Sequence, residues 1–186
     1  MTLRLVEGRA DPKERLLSAM SGDAGARNWL VSHYTPPVYR FCLRMLRNEE
    51  DAREITQESL LRALRALDRY DPERSFSTWA LRIARNACID VIRRRKPQVN
   101  PVVLDHLASE SPSPLEETER DRTARKLHLA LDALSVDHRE ILVLYHFEHF
   151  KYREIAEILE IPLGTVMNRI FRARRRLRGI YEEDAA

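Results

Sequence analysis

Histidine is the first residue type whose spacing offers chemistry. Four of the six histidines, His128, His138, His146 and His149, fall close together. His146 and His149 stand at i and i+3, a spacing that could share a metal ion. No cysteine lies near them, and Tyr145, Phe147 and Phe150 surround them, so packing is the expected role and no metal or other cofactor is expected. No serine or cysteine stands beside a base in a recognisable nucleophile motif. The five glycines, Gly8, Gly22, Gly25, Gly164 and Gly179, form neither GxGxxG nor GxxxxGK, which leaves no phosphate cradle. No catalytic residue is expected, and the chain reads as a non-enzyme.

The arginines point elsewhere. Arg169, Arg172, Arg174, Arg175, Arg176 and Arg178 fall within ten residues with no acid among them, and Arg93, Arg94, Arg95 and Lys96 are consecutive. The net charge of +3 is unevenly spread over the 186 residues. Residues 1–96 carry 19 basic and 13 acidic side chains, residues 97–122 carry 2 and 6, and residues 123–186 carry 11 and 10. Two cationic clusters separated by an acidic connector suggest a polyanion met at two places.

The elements that must position these residues follow from periodicity and from proline. Pro97, Pro101, Pro112 and Pro114 break any helix through residues 95–119. Ser, Glu and Pro dominate the second half of that stretch, which is linker composition. Elsewhere the apolar spacing is helical, with no strand-like alternation. The sequence therefore predicts an all-α fold of two small helical domains, 1–96 and 120–186, joined by a Pro-rich linker over 97–119. Helices are expected near 12–21, 25–47, 49–69 and 75–95, then near 120–133, 136–148, 152–159 and 165–181. Pro36–Pro37 should interrupt or kink the second. Ser135 and Thr165 are expected N-caps. No segment supplies the ~20 apolar residues of a membrane span, and the N-terminus lacks a signal-peptide core. Cys42 and Cys88 sit in apolar helical contexts and read as buried thiols of a reducing cytoplasm.

Three helices carry faces that their cores do not need. In the last one, Val166, Ile170, Ala173 and Leu177 form a narrow apolar stripe, and Asn168, Phe171, Arg172 and Arg175 lie opposite. With the short preceding helix and a tight turn at 161–164, this is a helix-turn-helix arrangement. Such a second helix fits the major groove, where arginine bridges guanine O6 and N7 and asparagine pairs with adenine. In the helix over 76–96, Ile83, Ala84, Ala87, Cys88 and Val91 turn inward. Arg82, Asn86 and Arg93 share the other face, with Trp79 and Asp90 at its edge and Phe76 at its start. Aromatics beside arginine and asparagine suit unstacked bases. In the helix over 49–69, Ala52, Ser59, Leu60, Ala63 and Leu67 turn inward. Asp51, Glu54, Glu58 and Arg65 turn outward around exposed Leu61, a face for a protein rather than for DNA. A conventional regulator could use the same helix pair as a dimer on duplex DNA, but that reading leaves the acidic face and the Phe76–Trp79 cluster without a role.

These residues resemble the bacterial RNA polymerase sigma factors of the extracytoplasmic function (ECF) class, in the sigma-70 family. Tyr34-Thr-Pro-Pro-Val-Tyr39 is similar to the first conserved-region helix of that family, and Asp51-Ala-Arg-Glu-Ile-Thr-Gln-Glu58 to its core-polymerase-binding motif. Ser75-Phe-Ser-Thr-Trp79 with Arg82-Ile-Ala-Arg-Asn86 and Asp90-Val-Ile-Arg93 resembles its promoter-melting segment. Gly164-Thr-Val-Met-Asn-Arg-Ile-Phe-Arg-Ala-Arg174 resembles its upstream recognition helix. The resemblance implies a factor that binds core RNA polymerase, through its beta-prime and beta subunits, and directs promoter recognition, −10 melting and initiation. It implies core-polymerase contacts at Asp51, Glu54, Gln57, Glu58 and Leu61. It implies −10 contacts at Tyr70, Arg74, Ser75, Phe76, Trp79, Arg82, Asn86, Asp90 and Arg93. It implies −35 contacts at Thr165, Met167, Asn168, Phe171, Arg172, Arg175 and Arg176. Promoter DNA and core polymerase are the expected partners, and an anti-sigma factor is typical of the family. Three positions depart from the pattern. Met167 stands where a basic residue is frequent, Glu160 where glycine often forms the turn, and Lys151 where a Ser or Thr cap is usual.

Overall fold

The computed structural model describes residues 12–95, 126–127 and 129–183. The expected linker over 97–119 lies outside the described residues, as do half of the helix expected near 120–133, its residue His128 included, and both chain ends. Among the described residues there is no strand. The N-terminal half is four α-helices: α1 (Pro12–Met20), α2 (Ala24–Leu46), α3 (Glu49–Arg65) and α4 (Phe76–Arg95), with a 3-10 turn at Leu67–Arg69. The C-terminal half has helical residues at 129–132, then α5 (Val136–Leu142), α6 (Tyr152–Leu159) and α7 (Leu163–Glu183).

Local chemistry sets most boundaries. Asp23 caps α2 by accepting from the Ala26 amide at 2.5 Å, and Asn48 caps α3 by accepting from Asp51 at 2.9 Å. Each side-chain oxygen pairs an amide that the first helical turn leaves without a partner. Glu49, Glu50 and Asp51 crowd the first turn of α3, and Arg62 and Arg65 its last, the arrangement the helix dipole favours. Ser75 accepts from the Thr78 amide at 3.4 Å at the head of α4. Ser135 caps α5 as expected, accepting from His138 at 3.4 Å.

The structure differs from the sequence expectations in four places. α2 is not interrupted at Pro36 and Pro37, interruption being one of the two outcomes expected there. The face carrying Leu30, Val38, Phe41 and Cys42 is buried, and this tertiary packing offsets the two missing amides. α7 begins at Leu163, so Thr165 lies inside its first turn rather than capping it. The Thr165 and Val166 amides bond the Pro162 carbonyl at 2.9 and 3.1 Å. The helix expected over 136–148 widens into a π-turn at Val143–Phe147, where the Glu148 amide reaches back five residues to Val143 at 3.1 Å. The helix expected over 49–69 ends at Arg65 and tightens into the 3-10 turn.

Two of the family departures have local solutions. Glu160 takes the left-handed conformation, φ 55° and ψ 44°, which glycine adopts without cost and other residues at about 1 kcal/mol. The ammonium of Lys151 has no lone pair with which to cap α6, but its own amide donates to Glu154 at 2.7 Å.

One buried cluster runs through both halves. Phe41, Leu30, Met45, Leu67 and Leu81 fill the N-terminal part; Ile141, Leu142, Leu144, Ile155, Ile158 and Ile170 fill the C-terminal part. Cys42 and Cys88 are free thiols within it. The halves meet where α4 packs on α6 and where α2 touches α5 and the π-turn.

Candidate nucleic-acid interface

α7 is oriented by its stripe. Val166, Ile170 and Ala173 are buried and Leu177 is half-buried, so the opposite side must face outward. Thr165, Met167, Asn168, Phe171, Arg172, Arg175 and Arg176 are all exposed there. Asn168 and Arg172 line a cleft with Ser135, Asp137 and His138 at the head of α5. Two arginines of the cluster are already engaged. Arg169 bonds Glu140 at 3.3 Å and lies 3.8 Å from Asp137. Arg174 donates to His146 Nε2 at 3.1 Å and lies over the Tyr145 ring at 4.9 Å. Burial, followed by the Arg174 charge, lowers the His146 pKa. Among the described residues no three His, Cys, Asp or Glu side chains gather as metal ligands.

α4 presents the second candidate surface. Asn86, Asp90 and Arg93 are exposed, and Arg82 is half-buried. Asn86 accepts from Arg85 at 3.2 Å, and Arg82 pairs with Glu160 at 3.4 Å. The aromatic residues lie deeper than the sequence suggests. Tyr70 and Phe76 are buried, and Trp79 is half-buried. Trp79 packs on Tyr70 and Phe76 with ring centroids 4.8 and 5.6 Å apart, and Phe76 on Tyr34 at 4.7 Å. The Tyr70 hydroxyl donates to the Arg74 carbonyl, and burial pushes its pKa up to about 12. These rings are the closing wall of the core, and Trp79 alone of the three keeps part of its surface open. Arg74 is exposed beside Asp71 at 3.5 Å. Ser75 is spent on its cap.

The outward face of α3 keeps its acidic rim. Glu54 and Gln57 are exposed, and Leu61 is 51% exposed. Glu58 is half-buried and accepts from Arg62 at 2.5 Å, and Asp51 pairs with Arg95. The structure thus places one residue set on α3, one on α7, and one on α4 together with the loop ahead of it that carries Tyr70, Arg74 and Ser75.

A feature that sequence reasoning missed lies between the halves. Glu140 is fully buried and accepts from Arg85 of α4 at 2.8 and 3.1 Å, and from Arg169 of α7 at 3.3 Å. Burial raises its pKa against the pull of the Arg85 hydrogen bonds and charge. Glu148, delivered by the π-turn, meets Arg40 at 3.3 Å and Arg44 at 2.9 Å, and its pKa is raised in the same way. Arg47 reaches Asp132 at 2.6 Å, and Arg139 donates to the Met45 carbonyl at 3.3 Å. No helix is long and apolar enough to cross a membrane among the described residues.

Both halves of the chain are similar to known proteins. Residues 30–98 match the family model for sigma-70 region 2, and residues 124–177 that for sigma-70 region 4. The chain is 34% identical over 179 residues to the ECF RNA polymerase sigma factor SigE of Mycolicibacterium smegmatis, spanning 93% of this chain and 69% of that protein. It is 32% identical over 176 residues to the ECF RNA polymerase sigma factor SigW of Bacillus subtilis, spanning 89% and 94%. Its fold is similar to CnrH solved in complex with the cytosolic domain of CnrY, with a TM-score of 0.73 and 25% identity over 94% of this chain and 99% of that one. It is also similar in fold to the sigma factor RpoE of Bartonella quintana, solved with the anti-sigma factor NepR, with a TM-score of 0.66 and 22% identity over 83% and 96%. The chain belongs to the ECF class of RNA polymerase sigma factors.

Proposed function

We propose that this sigma factor divides its work among the three helices described above. Residues 1–96 act as the part that binds core polymerase and the −10 element, residues 97–119 as a linker, and residues 120–186 as the reader of the −35 element. The face of α3 around Asp51, Glu54, Gln57, Glu58 and Leu61 binds core polymerase, whose surface must then offer cations around an apolar socket. Arg82, Asn86 and Arg93 of α4 hold the opened −10 strand, with Trp79 assisting the separation. Asn168, Phe171, Arg172 and Arg175 read the −35 duplex. The factor works in the cytoplasm without a catalytic step of its own. An anti-sigma factor is a further partner assigned by likeness to the relatives.

The observation that carries this reading is the exposed face of α7. A helix with a buried Val166–Ile170–Ala173 stripe has no structural use for an amide, an aromatic ring and guanidinium groups on its far side. Arg82 is tied to Glu160, so that pair must open before Arg82 can meet DNA.

The test is binding of holoenzyme to single-base variants of its preferred promoter at two salt concentrations. Arg172→Ala should cost about 1–3 kcal/mol on the preferred site and relax base preference there. Arg176→Ala should weaken all sequences alike and flatten the salt dependence by about one unit. The opposite pattern would mean that the helix presents a different face to DNA.

A further inference from the structure

The outward surface of α7 is divided along its length. Leu163, Met167 and Phe171 follow one another at i, i+4 and i+8, so they form one row. They are 41%, 54% and 67% exposed. Single exposed apolar residues are ordinary on a protein surface, but an unbroken row of three is a patch that calls for an occupant. Beyond Phe171 the exposed side chains up to Arg178 are all arginines, and no acid occurs between Ile161 and Tyr181. The N-terminal half of the helix is therefore apolar on the flank where its C-terminal half is cationic. At about 100° per residue the row lies some 100° around the helix from Asn168, close enough for both to enter one groove.

We propose that this row reads thymine, through apolar contact of Met167 and Phe171 with C5-methyl groups in the −35 duplex, and that it biases the upstream element toward thymine at those positions. The proposal rests on the reading of α7 as the −35 helix given above. The thymine methyl is the apolar group that B-DNA displays in its major groove, and it is flanked on both sides by phosphates. An apolar row continued by arginines matches that arrangement. A protein partner is the competing occupant, and the uninterrupted positive charge argues for the polyanion. Recognition helices of this type bring their N-terminal residues to the base edges, which is where the row lies. Gly164 stands beside it, and a Cβ added there would meet nothing within 4 Å. The fold does not require that glycine, and its missing side chain lets the first turn come close to the groove floor. Met167 thus offers the groove an apolar contact in a helix whose other long exposed side chains are mostly arginines.

The experiment uses the full chain bound to core polymerase. The preferred upstream element is first selected from duplexes randomised in that region. Each thymine is then replaced by deoxyuridine, which lacks the methyl group and keeps every hydrogen-bonding atom. Burial of one methyl is worth about 0.8 kcal/mol, so each uridine under the row should weaken binding about fourfold. Met167→Ala or Phe171→Ala should bind the thymine and uridine templates alike at the position it covers, while Arg172→Ala should keep the difference. All three residues are exposed, so folding should be little affected, and the uridine arm needs no variant at all. Equal binding of thymine and uridine throughout would overturn the proposal. So would a selected element without thymine, or a difference that persists in both apolar variants. Met167→Ala and Phe171→Ala that bind templates normally but assemble poorly with core polymerase would assign the row to protein. If Arg172→Ala and Arg176→Ala weaken template binding while uridine does not, only the methyl contact fails. If they too are without effect, the −35 assignment of α7 fails with it.

Discussion

Arg85 of α4 holds Glu140 of α5 with two hydrogen bonds, Nε to Oε2 at 2.8 Å and Nη2 to Oε1 at 3.1 Å. The carboxylate has no solvent-exposed surface, while the Arg85 side chain is 21% exposed. A buried carboxylate loses its hydration on folding and must recover it from partners. Here those partners come from both halves of the molecule, Arg85 from one and Arg169 from the other.

Removal of Arg85 should therefore be felt strongly. Arg85→Ala leaves Glu140 buried with Arg169 alone. The loss should fall below the roughly 3–5 kcal/mol of a fully severed buried pair, on the order of 2 kcal/mol. Arg85→Met combined with Glu140→Leu should return to within about 1 kcal/mol of the native chain, because the buried carboxylate is gone and Arg169 keeps Asp137 and its access to water. Urea unfolding of the native chain, Arg85→Ala and the double variant checks both statements. A double variant no better than Arg85→Ala would show that shape, rather than charge, governs the contact.

The same contacts give the closed arrangement a pH dependence. Burial raises the carboxyl pKa of Glu140, with Asp137 acting in the same direction and Arg85 and Arg169 against it. Burial raises that of Glu148 against Arg40, Arg44 and His149. A carboxyl with a higher pKa in the closed form than in water binds its proton more tightly when closed. Closure is therefore favoured as pH falls toward the usual carboxylate value and loses this contribution as pH rises through the raised values. Fluorescent probes on Arg65→Cys and Arg178→Cys should report a shorter mean distance at pH 5 than at pH 8. Glu140→Gln with Glu148→Gln should remove most of the change.

The α3 face can be tested apart from folding. Among the described residues Glu58 pairs with Arg62 on its own helix, an i,i+4 contact worth about 0.3–0.5 kcal/mol. Glu58→Lys should leave helicity and the unfolding midpoint nearly unchanged, yet weaken co-purification with core polymerase. Native co-purification of this variant would remove α3 from the proposed contact.

Helix positions were legible wherever the signal is local. α6 spans Tyr152–Leu159, as its apolar spacing predicts, and Ser135 caps α5 through its own hydroxyl. The π-turn was not legible: it delivers Glu148 to arginines 104 and 108 residues away, and local periodicity carries no sign of them. Glu140 escaped for the same reason: an acid in a short amphipathic helix reads as surface, and its Arg85 partner is 55 residues distant. At the start of α4, one helical turn holds both Phe76 and Trp79, so periodicity alone does not separate a ring that closes the core from one that faces outward. The α7 face was legible because its buried stripe fixes its rotation. The exposed row ending at Phe171 was not, since Leu163 lies ahead of the expected helix start and only the observed start at Leu163 brings it into line.

The central claim is that this chain confers promoter-specific initiation on core RNA polymerase. In vitro transcription with core polymerase on a genomic template library, with transcript ends mapped, tests it most directly. The expected result is a small set of start sites that need the chain and share two sequence elements at a fixed spacing, one of them altered in preference by Arg172→Ala. Start sites identical to those of core polymerase alone would contradict the account, as would occupied sites with two-fold symmetric half-sites and no dependence on the α3 face.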